Sequence, residues 1–391
     1  MSANVKLNVD ELKTLIKYMV SNNQHIQEQG KNPVAINVES SAGIGKTSVI
    51  TQIAQELNMD FEKLCLSQVE EIGDLTGFPV KEFEVKKGDT VKWVPENLLP
   101  TYIQGQYNPT GQKRMTYAPP AWIQGKDKPV MLLLDDYSRA DSRFLQACME
   151  IIDRQEYISW KLPKGSMVLL SSNPDNGEYF VTSMDNAQKT RFITVNLQFD
   201  IDCWGRYAEN CQLDNRCINF LIMHPELVTE QTNARVITTF FNSISSIKDF
   251  EKELPLIQML GEGSVGPEFS TMFTMFINNK LDKLIHPKEI LTSKDWDATQ
   301  KKLVDTIGKD DDYRADIAGV IATRIINYTY YHVENVGCDQ KLIDRLIQIC
   351  IDEDLFTNDL RYFIIKSIVN YDKQRFQKLL MHPKLVQIAI K

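Results

Sequence analysis

The residues best suited to chemistry form one early cluster, Ser40-Ser41-Ala42-Gly43-Ile44-Gly45-Lys46-Thr47-Ser48, directly after the apolar run Val34 to Val38. A phosphate-binding loop reads Gly, four residues, then Gly-Lys-Ser/Thr. Its small residues let successive backbone N–H groups turn inward around a phosphate, and the next helix adds the positive end of its dipole. Gly45, Lys46 and Thr47 match, and Ser40 stands where the leading Gly is usual. In that pattern Lys46 reaches the β- and γ-phosphates of a nucleotide, and Thr47 binds Mg²⁺. The bland alternative is a glycine turn that touches no nucleotide. Against it, Val49, Ile50, Ile53, Ala54 and Leu57 are spaced as the buried face of a helix starting at the loop.

A second cluster follows: Val130-Met131-Leu132-Leu133-Leu134 ends in Asp135-Asp136. An apolar run of this kind is a strand buried on both faces of a parallel sheet, and ligands of such sheets gather at the carboxyl ends of the strands. An acid there holds Mg²⁺ and its neighbour polarises the attacking water. We assign Asp135 to the metal and Asp136 to the water. Val168-Leu169-Leu170-Ser171-Ser172-Asn173 is another buried strand ending in polar residues, so Asn173 is placed to orient water near a γ-phosphate. The alternative for Asn173 is a turn former before Pro174. Arg191-Phe192 precedes the strand Ile193 to Leu197. Arg235 falls in the first turn of a helix capped by Thr232-Asn233, either solvated or in contact with a phosphate.

These residues need elements to hold them. A first helix is expected over residues 10 to 21, and a second strand around Phe61, Leu64 and Leu66. Residues 67–122 lack regular periodicity, and a loop that long is expected to be a functional insertion. A helix over Ser142 to Gln155 is followed by an alternating stretch, Tyr157 to Leu162, which Pro163-Lys164-Gly165 turns into a hairpin. From Asp200 the pattern is helical alone. Gly261 to Pro267 resembles a linker, and further helices centre near 268–281, 315–332, 340–352, 358–370 and 375–390.

With 391 residues the chain exceeds what one hydrophobic core usually organises. Hydrophobic residues make up 43% and charged residues 25%, as in an ordinary globular protein. A net charge of −8 argues against a surface that coats nucleic acid nonspecifically, while leaving room for a local basic channel. No run approaches the ~18 apolar residues of a membrane span, and Met1 to Lys6 lacks a signal-peptide core, so no membrane role and a cytoplasmic location are expected. Seven scattered cysteines form no metal-binding pattern and are expected to be small buried apolar residues. Three of the five histidines, His224, His286 and His382, precede proline, where helix termination explains them better than catalysis.

The order of these elements resembles the MoxR branch of the AAA+ ATPases. The likeness is carried by Ser40 to Thr47 as Walker A, Val130 to Asp136 as Walker B and Ser172-Asn173-Pro174 as sensor 1. Arg191-Phe192 stands at the arginine-finger position and Asn233-Ala234-Arg235 at sensor 2. Leu133-Leu134-Asp135-Asp136-Tyr137-Ser138-Arg139-Ala140 looks like the branch signature, with Asp136 in place of the usual Glu. The resemblance implies a three-layer αβα P-loop core with a parallel sheet over 1–199, carrying 67–122 as an insertion. An α-helical lid over 200–255 and a C-terminal helical region over 256–391 would follow. It also implies ATP and Mg²⁺ as cofactors and a homo-oligomeric ring, commonly a hexamer. Arg191 would act on the neighbouring subunit's ATP, and Arg235 would couple the lid to its own. The client would be a protein, with von Willebrand factor A-domain proteins as frequent partners of the branch. Because Ser40 and Asp136 depart from the pattern, two other functions stay open: an ATP-gated assembly scaffold with little hydrolysis, and a nucleic-acid motor, which the net charge disfavours.

Overall fold

In the computed structural model residues 5–174, 182, 184–278 and 284–385 are described. Residues 1–4 and the ends of the helices expected at 268–281 and 375–390 lie outside them. The chain divides into two compact units, Met1–Gln198 and Phe199–Lys391.

In the first unit the elements run β1 (Lys6–Leu7), α1 (Val9–Glu28), β2 (Ala35–Glu39), α2 (Lys46–Glu56) and β3 (Asp60–Cys65). After the insertion come β7 (Val130–Asp135), α5 (Ser142–Arg154), the hairpin β8 (Glu156–Tyr157) and β9 (Trp160–Lys161), β10 (Met167–Ser172), α6 (Asn186–Lys189) and β11 (Phe192–Leu197). Six strands form one parallel sheet in the order β1-β11-β2-β10-β7-β3. Alternation along each strand sends side chains to two faces. Ile36, Val38, Met131, Leu133 and Leu169 pack against Leu12 and Ile16 of α1 and Ile50 and Ile53 of α2. Val130, Leu132, Leu134, Val168 and Leu170 pack against Phe144, Leu145, Cys148 and Ile152 of α5. That is the expected three-layer αβα class with a parallel sheet, and a helical unit follows it. α1 starts one residue earlier than expected, behind a reciprocal capping box of Asn8 and Glu11, and runs on to Glu28.

Residues 67–122 depart from the expectation of an irregular loop. They build α3 (Ile72–Thr76), β4 (Phe78–Lys87), β5 (Thr90–Pro95), α4 (Leu99–Gln104) and β6 (Asn108–Ala118), with the strands in a separate antiparallel sheet ordered β5-β4-β6. The pattern escapes notice because most positions are exposed and the apolar Phe83, Val85 and Val94 share a face with lysines, although Val85 and Val94 are buried. The sequence signal was the pair Gly88-Asp89, which turns β4 into β5 with Gly88 at φ +58°. The later hairpin also differs: its turn lies at Ile158-Ser159, between β8 and β9, not at Pro163-Lys164-Gly165.

The second unit is helical: α7 (Ile201–Asn210), α8 (Asn215–Met223), α9 (Ala234–Ile244), α10 (Leu254–Ser264), α11 (Pro267–Asn278), α12 (Pro287–Thr292), α13 (Trp296–Ile307), α14 (Ala315–Asn335), α15 (Gln340–Ile351), α16 (Asn358–Tyr371) and α17 (Gln377–Met381). Phe220, Phe240, Phe241, Phe269 and Phe273 centre one core and α14 runs through another. The expected linker at Gly261 to Pro267 is mostly helix. A Cβ at Gly261 would stand 2.6 Å from Ser270 Oγ, so glycine there lets α10 and α11 approach closely. The helices α12 and α13 were not anticipated. Buried within this unit, Arg324 Nε lies 2.6 Å from Glu209, and its other nitrogens reach Asn215 and Asn219, which satisfies a charge that burial would otherwise penalise. None of the seven cysteines is in a disulfide; four are buried as expected, but Cys65 and Cys338 are half-buried and Cys211 is exposed.

His286 does not end a helix. Its Nδ1 accepts from the Lys288 N–H at 2.9 Å and caps the start of α12, with Pro287 in the first turn. Burial, with the nearby positive charges of Arg324 and Lys288, depresses its pKa from 6.5 to about 4. The unfolded chain therefore takes up the proton first as pH falls. The stability from the neutral cap is complete above pH 6.5 and is lost as pH drops towards 4. Thermal unfolding should show a loss of about 1–2 kcal/mol between those limits, discounted for the partial exposure of the ring. His286→Asn, which keeps a cap but does not titrate, should flatten that part of the profile; an unchanged profile would refute this role.

Candidate functional site

The parallel sheet brings the carboxyl ends of β2, β10 and β7 side by side. Glu39, the last residue of β2, pairs with Ser172 of β10, and Leu170 of β10 pairs with Leu134 of β7. Whatever follows each strand therefore meets at one edge: the loop Ser40 to Gly45, then Asn173, then Asp135 and Asp136. β10 separates the strand that feeds the loop from the strand that carries the acids, which is why Asn173 sits between them.

The loop is built as its composition requires. Gly45 has φ +100°, a left-handed value that favours glycine, and a Cβ there would meet nothing within 4 Å. α2 begins at Lys46, so its first N–H groups and dipole face the loop. Ser40 is buried, and its N–H donates to Ser172 O at 3.2 Å. Lys46 Nζ donates to Ser40 O at 2.8 Å and Ser40 Oγ at 2.9 Å, lies 3.4 Å from Ser41 O, and stands 3.5 Å from Asn173 Oδ1. The substitution of Ser for the leading Gly thus gives the Lys46 ammonium an additional acceptor. Thr47 is half-buried in the first turn of α2, its carbonyl accepting from Thr51 Oγ1 at 2.8 Å, while Ser48 is exposed.

The acids are positioned by residues that sequence reasoning did not single out. Ser171 Oγ donates to Asp135 Oδ1 and accepts from the Asp136 N–H at 3.1 Å, so one hydroxyl holds both. Ser138 Oγ accepts from the Asn173 N–H at 3.1 Å and ties the two strand ends together. Asp136 adopts the left-handed conformation, φ 53° and ψ 37°, at the sharp turn out of β7; such a backbone costs on the order of 1 kcal/mol and clusters at functional sites. Asp135 shares the sheet face of Met131 and Leu133, the side that packs on α2.

Lys63 of β3 was also missed. Its Nζ lies 2.9 Å from Asp135 Oδ2. Burial by itself pushes the Asp135 carboxyl up, but the Ser171 hydroxyl and the Lys63 ammonium outweigh it and hold Asp135 below the usual carboxylate range. The hydrogen bond to Asp135 lifts Lys63 above its ordinary value. Sequence offered little signal, because β3 is the edge strand of the sheet, with no fully buried residue, and charged side chains are ordinary there.

The donors suit a magnesium nucleotide. Asp135 and the Thr47 hydroxyl are hard oxygen ligands, and Asp135 is already ionised and oriented. Lys63 competes for the same carboxylate. Because its side chain is 42% exposed, the pair is worth about 1 kcal/mol. Lys63→Ala should therefore lower the Mg²⁺ concentration that half-saturates binding of a fluorescent nucleotide about fivefold. An unchanged midpoint would show that the pair does not compete.

Arg191 is held elsewhere in the first unit. Arg191 precedes Phe192, which pairs with Ala35 at the far end of β2. At ~3.3 Å per residue its backbone stands roughly 20 Å along the sheet from Ser40. Its Nη1 donates to Ala187 O at 2.8 Å, at the end of α6. Arg235 belongs to the second unit. It is exposed in the first turn of α9, where Asn233 Oδ1 accepts from the N–H groups of Arg235 and Val236 at 3.1 and 3.2 Å.

No protein-family model and no curated protein sequence matches this chain. Among solved structures it is similar to the RuvB Holliday junction branch migration motor of Thermotoga maritima, at 12% identity and TM-score 0.33, covering 73% of this chain and 76% of that one. It is also similar to a Cytophaga hutchinsonii protein designated an ATPase, at 13% identity and TM-score 0.33, covering 85% and 78% of the two chains. Likenesses of this size show neither an activity nor a substrate. Among the described residues no helix is long and apolar enough to cross a membrane.

Proposed function

We propose that the chain is a MoxR-like AAA+ ATPase that binds and hydrolyses Mg-ATP at the subunit interfaces of a ring, commonly a hexamer, and uses the cycle to remodel or mature a partner protein. The reading is supported above all by one observation: Lys46, Asn173, Asp135 and Asp136 converge at one edge of the sheet, directly before the N-terminus of α2. The family resemblance adds a von Willebrand factor A-domain protein as the class of client and the cytoplasm as the location. It also adds a division into core (1–199), lid (200–255) and C-terminal helical region (256–391).

In this mechanism the backbone N–H groups of Ser41 to Ser48 and the Lys46 ammonium bind the phosphates. Lys46 exchanges the carbonyls of Ser40 and Ser41 for phosphate oxygens. Thr47 and Asp135 would hold Mg²⁺, which would supply Lewis-acid neutralisation of phosphate charge. Asp136 polarises the attacking water and Asn173 orients it. Arg191 of the neighbouring copy completes the charge around the transferred group, because the chain's own Arg191 lies too far along the sheet to do so. Arg235 couples the helical lid to nucleotide in its own subunit. The decisive experiment is ATP binding and turnover of the intact protein beside a variant lacking the Lys46 ammonium.

A second reading, an ATP-gated scaffold that barely hydrolyses, is favoured by the shorter Asp136 side chain on a strained backbone and by Lys63 engaging Asp135. Under it, Asp136→Glu should raise turnover about tenfold or more, since a well-placed general base contributes ~10²–10⁴. Unchanged turnover would count against a short carboxylate as the limiting feature.

A further inference from the structure

The inserted sheet β5-β4-β6 sorts its charges by face. Residues directly opposite in antiparallel strands share a face. Phe83 pairs with Val94 and Lys113, Val85 with Lys92, and Lys81 with Met115, so Lys81, Lys92 and Lys113 lie on one side, with Lys87 at the end of β4. No aspartate or glutamate of the three strands falls on that side. The acids are on the other: Glu82 is ion-paired with Arg114 at 2.7 Å, and Glu84 accepts from Thr110 Oγ1 at 2.6 Å.

The four lysines are exposed, and among the described residues none has a carboxylate partner. They stand instead over aromatic rings. Lys81 and Lys113 lie 5.2 and 5.5 Å from the centre of Phe83, while Lys87 and Lys92 each lie 5.7 Å from that of Tyr107. Lys87 Nζ also donates to Gly105 O at 2.9 Å, whereas at exposed sites cation–ring contacts alone are weak, so the ammonium groups of Lys81, Lys92 and Lys113 are readily exchanged onto a stronger anion. Along β4 the outer lysines, Lys81 and Lys87, are six residues apart, roughly 20 Å, while Lys113 and Lys92 lie opposite Phe83 and Val85 between them.

We propose that this face binds single-stranded nucleic acid, its lysines taking phosphates and Phe83 and Tyr107 stacking bases. Cations standing over rings along this face, around the buried Val85 and Val94, match the alternation of phosphate and base along a strand. A duplex hides the base faces that the rings would meet. An acidic polypeptide would use the lysines but gain nothing specific from the rings. The chain's net charge of −8 conceals this patch, because the acids of the sheet are on its other face.

The test is fluorescence anisotropy of a labelled oligo-dT of about 15 nucleotides with the full chain, at salt from about 50 to 200 mM. Thermal unfolding verifies that each variant is folded. The double variant Lys81→Gln and Lys113→Gln should bind about tenfold or more weakly and flatten the log–log salt slope by about 1.4, at ~0.7 for each phosphate that is no longer neutralised. Phe83→Leu should weaken binding several-fold at an unchanged slope, while Lys86→Gln, on the acidic face, should stay within about twofold. Absence of saturable binding at the lowest salt would overturn the proposal, and so would an equal loss in Lys86→Gln. Full competition by poly-glutamate, with no effect of Phe83→Leu, would overturn it in favour of an acidic protein segment.

Discussion

Lys46→Ala is expected to lower ATP turnover by ~10²–10³ and to weaken nucleotide binding by about ten- to a hundredfold. Charge-assisted hydrogen bonds contribute about 1.5–3 kcal/mol each, and removing one donor to developing charge costs ~10²–10³ in rate. The loop around Lys46 is pre-formed: Gly45 takes its left-handed turn, and the ammonium waits on Ser40 and Ser41 carbonyls a few ångströms from Asn173. The variant leaves those carbonyls to solvent rather than in a sealed core, so it should still fold, and thermal unfolding monitors that directly. A folded Lys46→Ala protein with undiminished binding and turnover would remove the phosphate loop from the account. Turnover lost with binding retained would confine Lys46 to the reacting charge.

Arg191→Ala is expected to have a larger effect on rate and little on binding. An arginine that stabilises the transferred phosphoryl group is worth ~10³–10⁵ in rate. The register of β11 on β2 puts Arg191 at the opposite end of the strand from its own loop, so the residue contributes only if a second copy brings it to the site. Mixing separates the two roles. Arg191→Ala chains have an intact loop, and Lys46→Ala chains have an intact Arg191. A mixture should therefore regain turnover that neither has alone. No regain, or full activity of Arg191→Ala by itself, would contradict action between subunits.

How far the sequence revealed this depended on burial. The strands β2, β7 and β10 were legible because a parallel sheet covered on both faces demands continuous apolar runs, and each run stops at the residue that carries chemistry. The phosphate loop was legible because its glycines and lysine answer to local geometry. Ser171, Ser138 and Lys63 were not legible. Their roles follow from which strand lies beside which, and register between strands distant in sequence leaves no local trace. The inserted sheet was missed for a related reason: its buried Val85 and Val94 share a face with lysines, so hydrophobic alternation has little to report. Gly261 reads as a linker although its hydrogen in place of a Cβ serves helix packing, a tertiary demand that composition cannot distinguish from a flexible joint. His286 likewise could be a helix stop or a helix start from sequence alone, and only the direction of the following chain decided it.

The most direct test of the central claim, an ATP site completed by a neighbouring copy, is ATP turnover per chain at saturating Mg-ATP as a function of protein concentration. The account predicts a rate per chain that rises steeply with concentration and levels off once the ring is assembled. A measurable rate per chain that stays constant down to the highest dilution would place the whole catalytic machinery in one subunit and contradict it; no turnover at any concentration would contradict hydrolysis itself.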